Sequence, residues 1–345
     1  MKEIFLITDP INNHGGSENF IKYLNNYLQK FKKTNFIELV NTKTKEVNQL
    51  RVIKLFGLYF FFPSINNYIK IFRLMNKDMV INNMRFFPII FLLKVFFKNK
   101  IYYISHGFFF HNKNNLFFKN ILMILHSLIS NILEKNFKYI SISSNDIKIC
   151  KKFNLSYTFL EEKVDLSKFR NINKKKDNGI ALYFGRIDKN KGLEFAIKHV
   201  FKSKNISKFI ICGKIFDKNY YQRLINIINS YKNQKIFFSG ELSHKDLIGH
   251  IENCQYILLP STEEGFGITL IESLIVNKIV LANNNFSYSR ICQNLKLYNI
   301  LFNYNDLNLN IDEKLNSLKN FTIDTEIIFS KYSKYDLEKL KLIFV

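Results

Sequence analysis

The stretch at residues 259–282, LPSTEEGFGITLIESLIVNKIVLA, decides the fold of this chain. It continues an apolar run from Tyr256 to Leu259, of strand length and stopped by Pro260. A polar turn containing Gly265 and Gly267 follows. ITLIESLIV then places Ile268, Ile271, Leu274 and Ile275 on one helical face. A second β-rich run, Ile279 to Ala282, closes the unit. Strand, tight loop, helix, strand is a βαβ element of a parallel sheet. In open α/β sheets the ligand crevice lies at the carboxyl ends of the strands, so the loop after Leu259 is expected to be a ligand loop.

Two carboxylates sit in this unit. Glu264 is in the loop and Glu272 is eight residues on, in the early turns of the helix. Eight helical residues return to nearly the same face, about two turns along. The glycines allow close approach of backbone N–H groups, and a helix N-terminus adds partial positive charge. A dipole for phosphate with acids for hydroxyls suits a sugar nucleotide. The same residues also make an ordinary solvated turn with Glu early in a helix, and spacing alone leaves both open. EGFGITLIE, however, resembles the E-x7-E signature of the family 4 retaining glycosyltransferases, which have the GT-B fold: two Rossmann-like parallel-sheet domains facing an interdomain cleft.

Bulk properties agree with that size and class. The 345 residues suit two domains, and 47% hydrophobic content supports real cores. The balance of 51 basic against 28 acidic residues gives a net charge of +23. Such a charge favours anionic partners: nucleic acid, an acidic membrane face or phosphorylated substrates. Abundant Lys, Asn, Ile and Phe also match the codon bias of an AT-rich genome. Cys150, Cys212, Cys254 and Cys292 are widely spaced with no C-x-x-C, which reads as reduced thiols of a cytosolic protein and not as metal ligands. The opening MKEIFLITDP reads as a first strand, too short in its apolar run for a signal peptide. No stretch reaches the ~18 apolar residues of a spanning helix.

Along the first half, Ile4–Ile7 reads as a strand, followed by DPINNHGGSEN and an amphipathic helix from about Ser17 to Phe31. Gly15, Gly16 and Glu18 resemble the family's GG-x-E element, which implies glycines close to the donor phosphates. His14 reads as a turn residue. Strands are expected near 36–40 and 52–56. GLYFFFPSINNYIKIFRLMNK (57–77) and MRFFPIIFLLKVFFKNK (84–100) mix aromatics with basic residues, a pattern suited to an interfacial membrane surface as well as to core helices with charged ends. The strand 101–105 ends at His106-Gly107, where the family often carries a His near the donor sugar. HGFFFHNKNNLFFKN with ISISSND is similar to mannosyltransferases acting on polyprenyl-diphosphate oligosaccharides, with His111 a possible acceptor-side residue by that likeness. The strand at 139–143 is expected to be the last of the first domain.

LEEKVDLSKFR occupies the interdomain position. Val164, Asp165 and Phe169 fit the family there, while Glu162-Lys163 replace its usual Asn-Gly. NINKKKDNG, 171–179, reads as the linker. The expected division is therefore residues 1–172 for an acceptor-binding domain, 173–325 for a nucleotide-sugar domain, and 326–345 for a C-terminal helix packing back on the first. IALYFGRIDKNKGLEFAIKHV matches the family's G-R-x4-K-G landmark. The resemblance implies that Arg186 and Lys191 hold the diphosphate, whose departure builds negative charge. Further strand and helix runs follow, with Ser243 as a helix cap. NNNFSYSRIC lacks the Glu the family often has after Ala282.

The resemblance thus implies a retaining hexosyltransferase using a UDP- or GDP-sugar. It places Glu264 and His106 with Arg186 and Lys191 at the reacting centre, Glu272 on the ribose hydroxyls, and Gly15, Gly16, Gly265, Phe266 and Gly267 around the donor. The absence of D-x-D fits transfer without metal or other cofactor, the cations taking the metal's role. A lipid-linked saccharide at the anionic inner face of the cytoplasmic membrane is the expected acceptor, in lipopolysaccharide, O-antigen, capsule or exopolysaccharide synthesis. Another GT-B enzyme, such as a sugar-nucleotide epimerase, is the alternative. A nucleic-acid-binding protein is disfavoured because the chain has no reader motif.

Overall fold

The structure is a computed structural model that describes residues 3–9, 16–40, 49–55, 58–74, 77–82, 100–105, 137–142, 147, 151, 157–169, 172, 177–231 and 234–344. The chain forms two compact units, Met1–Lys163 with Tyr335–Val345, and Val164–Lys334.

The first unit runs β1 (Glu3–Thr8), α1 (Gly16–Leu28), β2 (Lys33–Val40), β3 (Gln49–Leu55), β4 (Leu58–Phe61), α2 (Ile65–Leu74), β5 (Asp78–Ile81), β6 (Ile101–Ser105), β7 (Phe137–Ser141) and β8 (Thr158–Phe159). The sheet order is β4-β3-β2-β1-β5-β6-β7-β8. Every pairing is parallel except the β3–β4 hairpin. Parallel strands are buried on both faces, which is why Ile4, Leu6, Val80, Tyr102, Ile104 and Ile140 are all within the core. The reading of 57–77 as a single aromatic, basic stretch resolves into a hairpin strand and a ten-residue helix. The 84–99 stretch, His14, Gly15, His106 and His111 lie outside the described residues.

The second unit runs β9 (Ile180–Phe184), α3 (Leu193–Lys202), β10 (Lys208–Cys212), α4 (Lys218–Asn229), β11 (Ile236–Gly240), α5 (His244–Asn253), β12 (Tyr256–Leu259), α6 (Ile268–Ile275), β13 (Ile279–Asn283), α7 (Phe286–Leu295), β14 (Leu301–Phe302), α8 (Ile311–Ser317) and α9 (Thr325–Tyr332). Its six strands are parallel in the order β11-β10-β9-β12-β13-β14. That is the 3-2-1-4-5-6 order of a doubly wound sheet, with its switch point between β9 and β12. Ser243 caps α5 as expected, its side chain accepting from the Asp246 N–H. Tyr298–Ile300 forms a 3-10 turn that leads into the two residues of β14.

Two boundaries differ from the sequence reading. The division falls at 163/164 and not at 172/173, because Val164, Leu166, Phe169 and Ile172 are buried in the second unit's core. Residues 326–345 are not one helix. α9 packs against α6 in the second unit, and Ser333 and Asp336 interrupt the chain. Asp336 Oδ1 accepts from the Glu338 N–H at 2.9 Å and starts α10 (Leu337–Phe344). α10 belongs to the first unit: Leu340, Ile343 and Phe344 are buried there, and Phe344 lies 4.9 Å from the Tyr102 ring. Cys212, Cys254 and Cys292 are buried free thiols. Among the described residues no helix is long and apolar enough to cross a membrane.

Candidate active site

The site is built where β9 and β12 release the chain, at the switch point of the second sheet. After Phe184 the chain turns through Gly185 and Arg186. The buried Tyr183 hydroxyl donates to the Arg186 carbonyl at 2.7 Å and fixes that turn. Asp188 caps a 3-10 turn, Lys189–Lys191, by accepting from the Asn190 N–H. Gly192 follows at φ 58°, and a Cβ there would stand 2.6 Å from the Pro260 carbonyl oxygen. Only glycine satisfies both the left-handed backbone and that approach. The turn delivers Lys191 inward, so that it is almost wholly buried, while Arg186 is left half exposed.

The loop leaving β12 is zipped onto this turn. The Asn190 carbonyl accepts from the Thr262 N–H at 2.9 Å and from the Thr262 hydroxyl at 3.1 Å. Asn283 and Asn285 donate to the Ser261 carbonyl at 3.1 and 2.7 Å. The Ser287 hydroxyl donates to the Glu264 carbonyl at 2.7 Å. These bonds hold Glu264 so that its Oε1 receives Lys191 Nζ at 2.7 Å and the Tyr288 hydroxyl at 3.0 Å. The two partners are only 9% and 12% exposed in their side chains. Burial alone would raise the Glu264 pKa. The Lys191 ammonium and the Ser261 and Tyr288 hydroxyls outweigh it and hold the carboxyl below its usual range.

Glu272 is in the opposite condition. It lies in the second turn of α6, is half-buried, and has no hydrogen-bond or ion-pair partner among the described residues. Burial pushes its pKa up to about 7, with Lys168 pulling weakly the other way. A half-buried carboxyl without a protein partner is a group that a ligand hydroxyl can satisfy. Arg186 has its guanidinium 5.1 Å over the Phe216 ring and its Nε 3.7 Å from Asp188.

Of the residues singled out from the sequence, Lys191 and Glu264 are in direct contact, and Arg186 opens the same turn. Gly265, Phe266 and Gly267 form the loop into α6. Gly267 caps α6 at φ 100°, and its missing side chain makes room for Tyr288 and Ile291. Phe266 packs on the core, 6.3 Å from the Tyr332 ring. Gly16 is the first residue of α1. Sequence reasoning missed Tyr288, Ser261 and Ser287. Asn285 as a helix N-cap was a readable signal for where α7 starts, but nothing local says that α7 then turns Tyr288 onto Glu264.

The family described as glycosyl transferases group 1 matches residues 165–319. An "uncharacterized 41.2 kDa protein in cps region" of Klebsiella pneumoniae is 27% identical over 171 residues, 48% of this chain and 44% of that protein. A 2-deoxystreptamine N-acetyl-D-glucosaminyltransferase of Niallia circulans is 30% identical over 108 residues, 30% of this chain and 27% of that one. The chain thus spans less than half the length of these curated relatives. The crystal structure of HepE from Anabaena in complex with UDP and glucose superposes with a TM-score of 0.73 over 99% of this chain and 98% of that one, at 10% identity. That likeness is one of fold: both are GT-B proteins, two parallel-sheet α/β units in one chain. Residues 165–319 of the chain are thus similar to the glycosyl transferases group 1 family.

Proposed function

We propose that this chain transfers a glycosyl group from a nucleoside-diphosphate sugar to a lipid-linked saccharide, with retention of anomeric configuration and without a metal. The observation that carries the reading is the contrast at the switch point: Glu264 locked to Lys191, with Arg186 half exposed and Glu272, on the adjoining helix, without a partner among the described residues. Arg186 meets the diphosphate. The Lys191 ammonium, with one of its three donors on Glu264, offers the others to the same phosphates. Glu272 accepts from ribose hydroxyls. Glu264, kept anionic, reads a hydroxyl of the donor sugar. As the C1–O bond to the diphosphate breaks and the acceptor oxygen bonds C1, the acceptor's proton passes to the departing phosphate. The negative charge of that leaving group develops against Arg186 and Lys191.

The relatives support the coarse chemistry: HepE holds UDP, and the Niallia protein is an N-acetylglucosaminyltransferase. The Klebsiella relative's cps region and the charge of +23 support a lipid-linked acceptor at an anionic membrane face. The reading is tested by a thermal-shift series with nucleoside diphosphates and their sugars. Saturation at 100 times Kd raises stability by about 2.7 kcal/mol. A flat series across uridine and guanosine diphosphates removes the proposal, and conversion of the donor sugar without acceptor replaces it with an epimerase.

Phe216 gives a smaller, graded test. It is 61% exposed, so Phe216→Ala leaves the fold intact and removes only the ring under Arg186. Nucleoside-diphosphate affinity is expected to fall by roughly two- to fivefold, the equivalent of about 0.5–1 kcal/mol. Calorimetric titration checks it, and unchanged affinity would mean that the ring does not position Arg186.

A further inference from the structure

α2 is built inside out for a helix of a globular unit. Its apolar residues Ile65, Tyr68, Ile69 and Phe72 recur at helical spacing and are all exposed, Ile65 by 76% and Phe72 by 73%. The face turned inward is held by a polar residue. Asn67 is buried, accepts from the Arg51 N–H at 3.0 Å, and donates to the carbonyls of Arg51 at 2.7 Å and Phe62 at 2.8 Å. Leu74 is the other buried residue of the helix, and Lys70 Nζ donates to the Gln49 carbonyl at 2.7 Å. The helix is thus clamped to β3 by hydrogen bonds while its apolar stripe faces away. A contiguous exposed stripe of this kind marks an interaction surface.

Charge indicates which surface covers it. Between Val47 and Leu133 the single acidic residue is Asp78. Asp78 is itself neutralised by Lys32 Nζ at 3.2 Å. Arg73 is exposed beside Phe72 at the edge of the stripe. Apolar and aromatic side chains flanked by a cation, in a region almost without acids, complement an anionic lipid surface. A second copy of this chain would bring the same acid-poor, basic region against itself.

We propose that α2 is the membrane-docking element of this protein, lying in the plane of an anionic bilayer with Ile65, Tyr68, Ile69 and Phe72 inserted between headgroups and Arg73 on the lipid phosphates. The proposal rests on the lipid-linked acceptor reading and names the surface through which that substrate is reached.

The chain has no Trp, so Phe72→Trp installs a sole indole reporter in the full-length protein. Its emission is expected to shift to the blue on adding phosphatidylglycerol–phosphatidylethanolamine vesicles and to stay unchanged with phosphatidylcholine alone. In co-sedimentation with the anionic vesicles, Ile65→Ser/Phe72→Ser should lower partitioning at least tenfold, and Arg73→Glu several-fold. Both sets of side chains are exposed, so the melting temperature of each variant should match that of the parent. Unshifted Phe72→Trp emission, or full vesicle binding by the double serine variant, overturns the proposal. So does a dimer in sedimentation velocity that the double serine variant converts to monomer, because a second copy then covers the stripe. The nucleoside-diphosphate thermal shift, run on the same variants, separates the two claims. Vesicle binding through α2 without any nucleotide response leaves the docking helix standing and sinks the transferase reading, and the reverse pattern does the opposite.

Discussion

Lys191→Ala is expected to lower the free energy of unfolding by about 3–5 kcal/mol, the cost of leaving a buried carboxylate without its counter-ion. In a unit of this size that corresponds to roughly 6–20 °C in melting temperature. The size of the effect follows from burial: Lys191 and Glu264 are 9% and 12% exposed and 2.7 Å apart. An exposed pair of the same length would contribute at most about 1 kcal/mol. The pH dependence has a fixed sign. Glu264 is held below its ordinary pKa in the folded state, so its contribution is present above the unfolded value near 4.5 and is lost as pH falls through the folded value. Wild type should therefore lose stability on acidification below about pH 4.5, and Lys191→Ala should lose less over the same interval.

Stability and function separate in a second variant. Lys191→Met with Glu264→Gln removes both charges while keeping similar volumes, and replacing both members of a buried pair is far milder than removing one. The double variant is expected to recover most of the melting temperature lost in Lys191→Ala. Transfer should stay at least about a hundredfold below wild type, because a cation facing the leaving group is gone. Denaturant unfolding with a donor-turnover assay reads both quantities. A double variant as unstable as the single one would mean that the ion pair is not what holds the two loops together. A double variant with near-wild-type turnover would take Lys191 and Glu264 out of the chemistry.

Much of the second unit could be read from the chain because its signals are local. β9 and β12 are near-continuous apolar runs, as strands buried on both faces must be, and the limits of β12, Tyr256–Leu259, are those the sequence suggests. Ser243 announces α5 through a cap that needs no tertiary context. The pairing of Lys191 with Glu264 is different in kind. Both residues were legible as ligand-loop members, but contact across 73 positions depends on β12 lying beside β9 in the sheet. The third partner, Tyr288, depends further on how α7 packs against Gly267. α2 shows the limit most clearly. Its 3.6-residue apolar period is plain in INNYIKIFRL, yet periodicity says only that one face differs from the other. Which face points inward was decided by Asn67 finding the free backbone groups of Arg51 and Phe62. The boundary at 163/164 was hidden for a related reason: the polar run 171–179 looks like a linker, while Val164, Leu166, Phe169 and Ile172 already bury their side chains in the second core.

Glu272→Ala is expected to weaken nucleoside-diphosphate binding by roughly two to four orders of magnitude, because two ribose hydroxyls each lose a bond to a charged acceptor at about 1.5–3 kcal/mol apiece. The melting temperature of the free protein should hardly fall, since the carboxyl has no partner among the described residues to lose. At alkaline pH it should rise. With its pKa raised to about 7, Glu272 contributes stability that is complete below its unfolded value and lost as pH rises through 7, so at alkaline pH the free protein carries an unfavourably buried charge. Ligand binding inverts that penalty by supplying hydrogen-bond donors to the carboxylate. Affinity for the diphosphate should then climb as pH rises from 6 to 8, with a proton released on binding below pH 7. Glu272→Gln should abolish the climb while retaining one acceptor oxygen and some affinity. Isothermal titrations of wild type and Glu272→Gln in two buffers of different ionisation enthalpy measure the released proton directly. A wild-type affinity flat across this interval, with no buffer-dependent enthalpy, would show that the nucleotide does not reach Glu272, and the donor site would have to be sought away from α6.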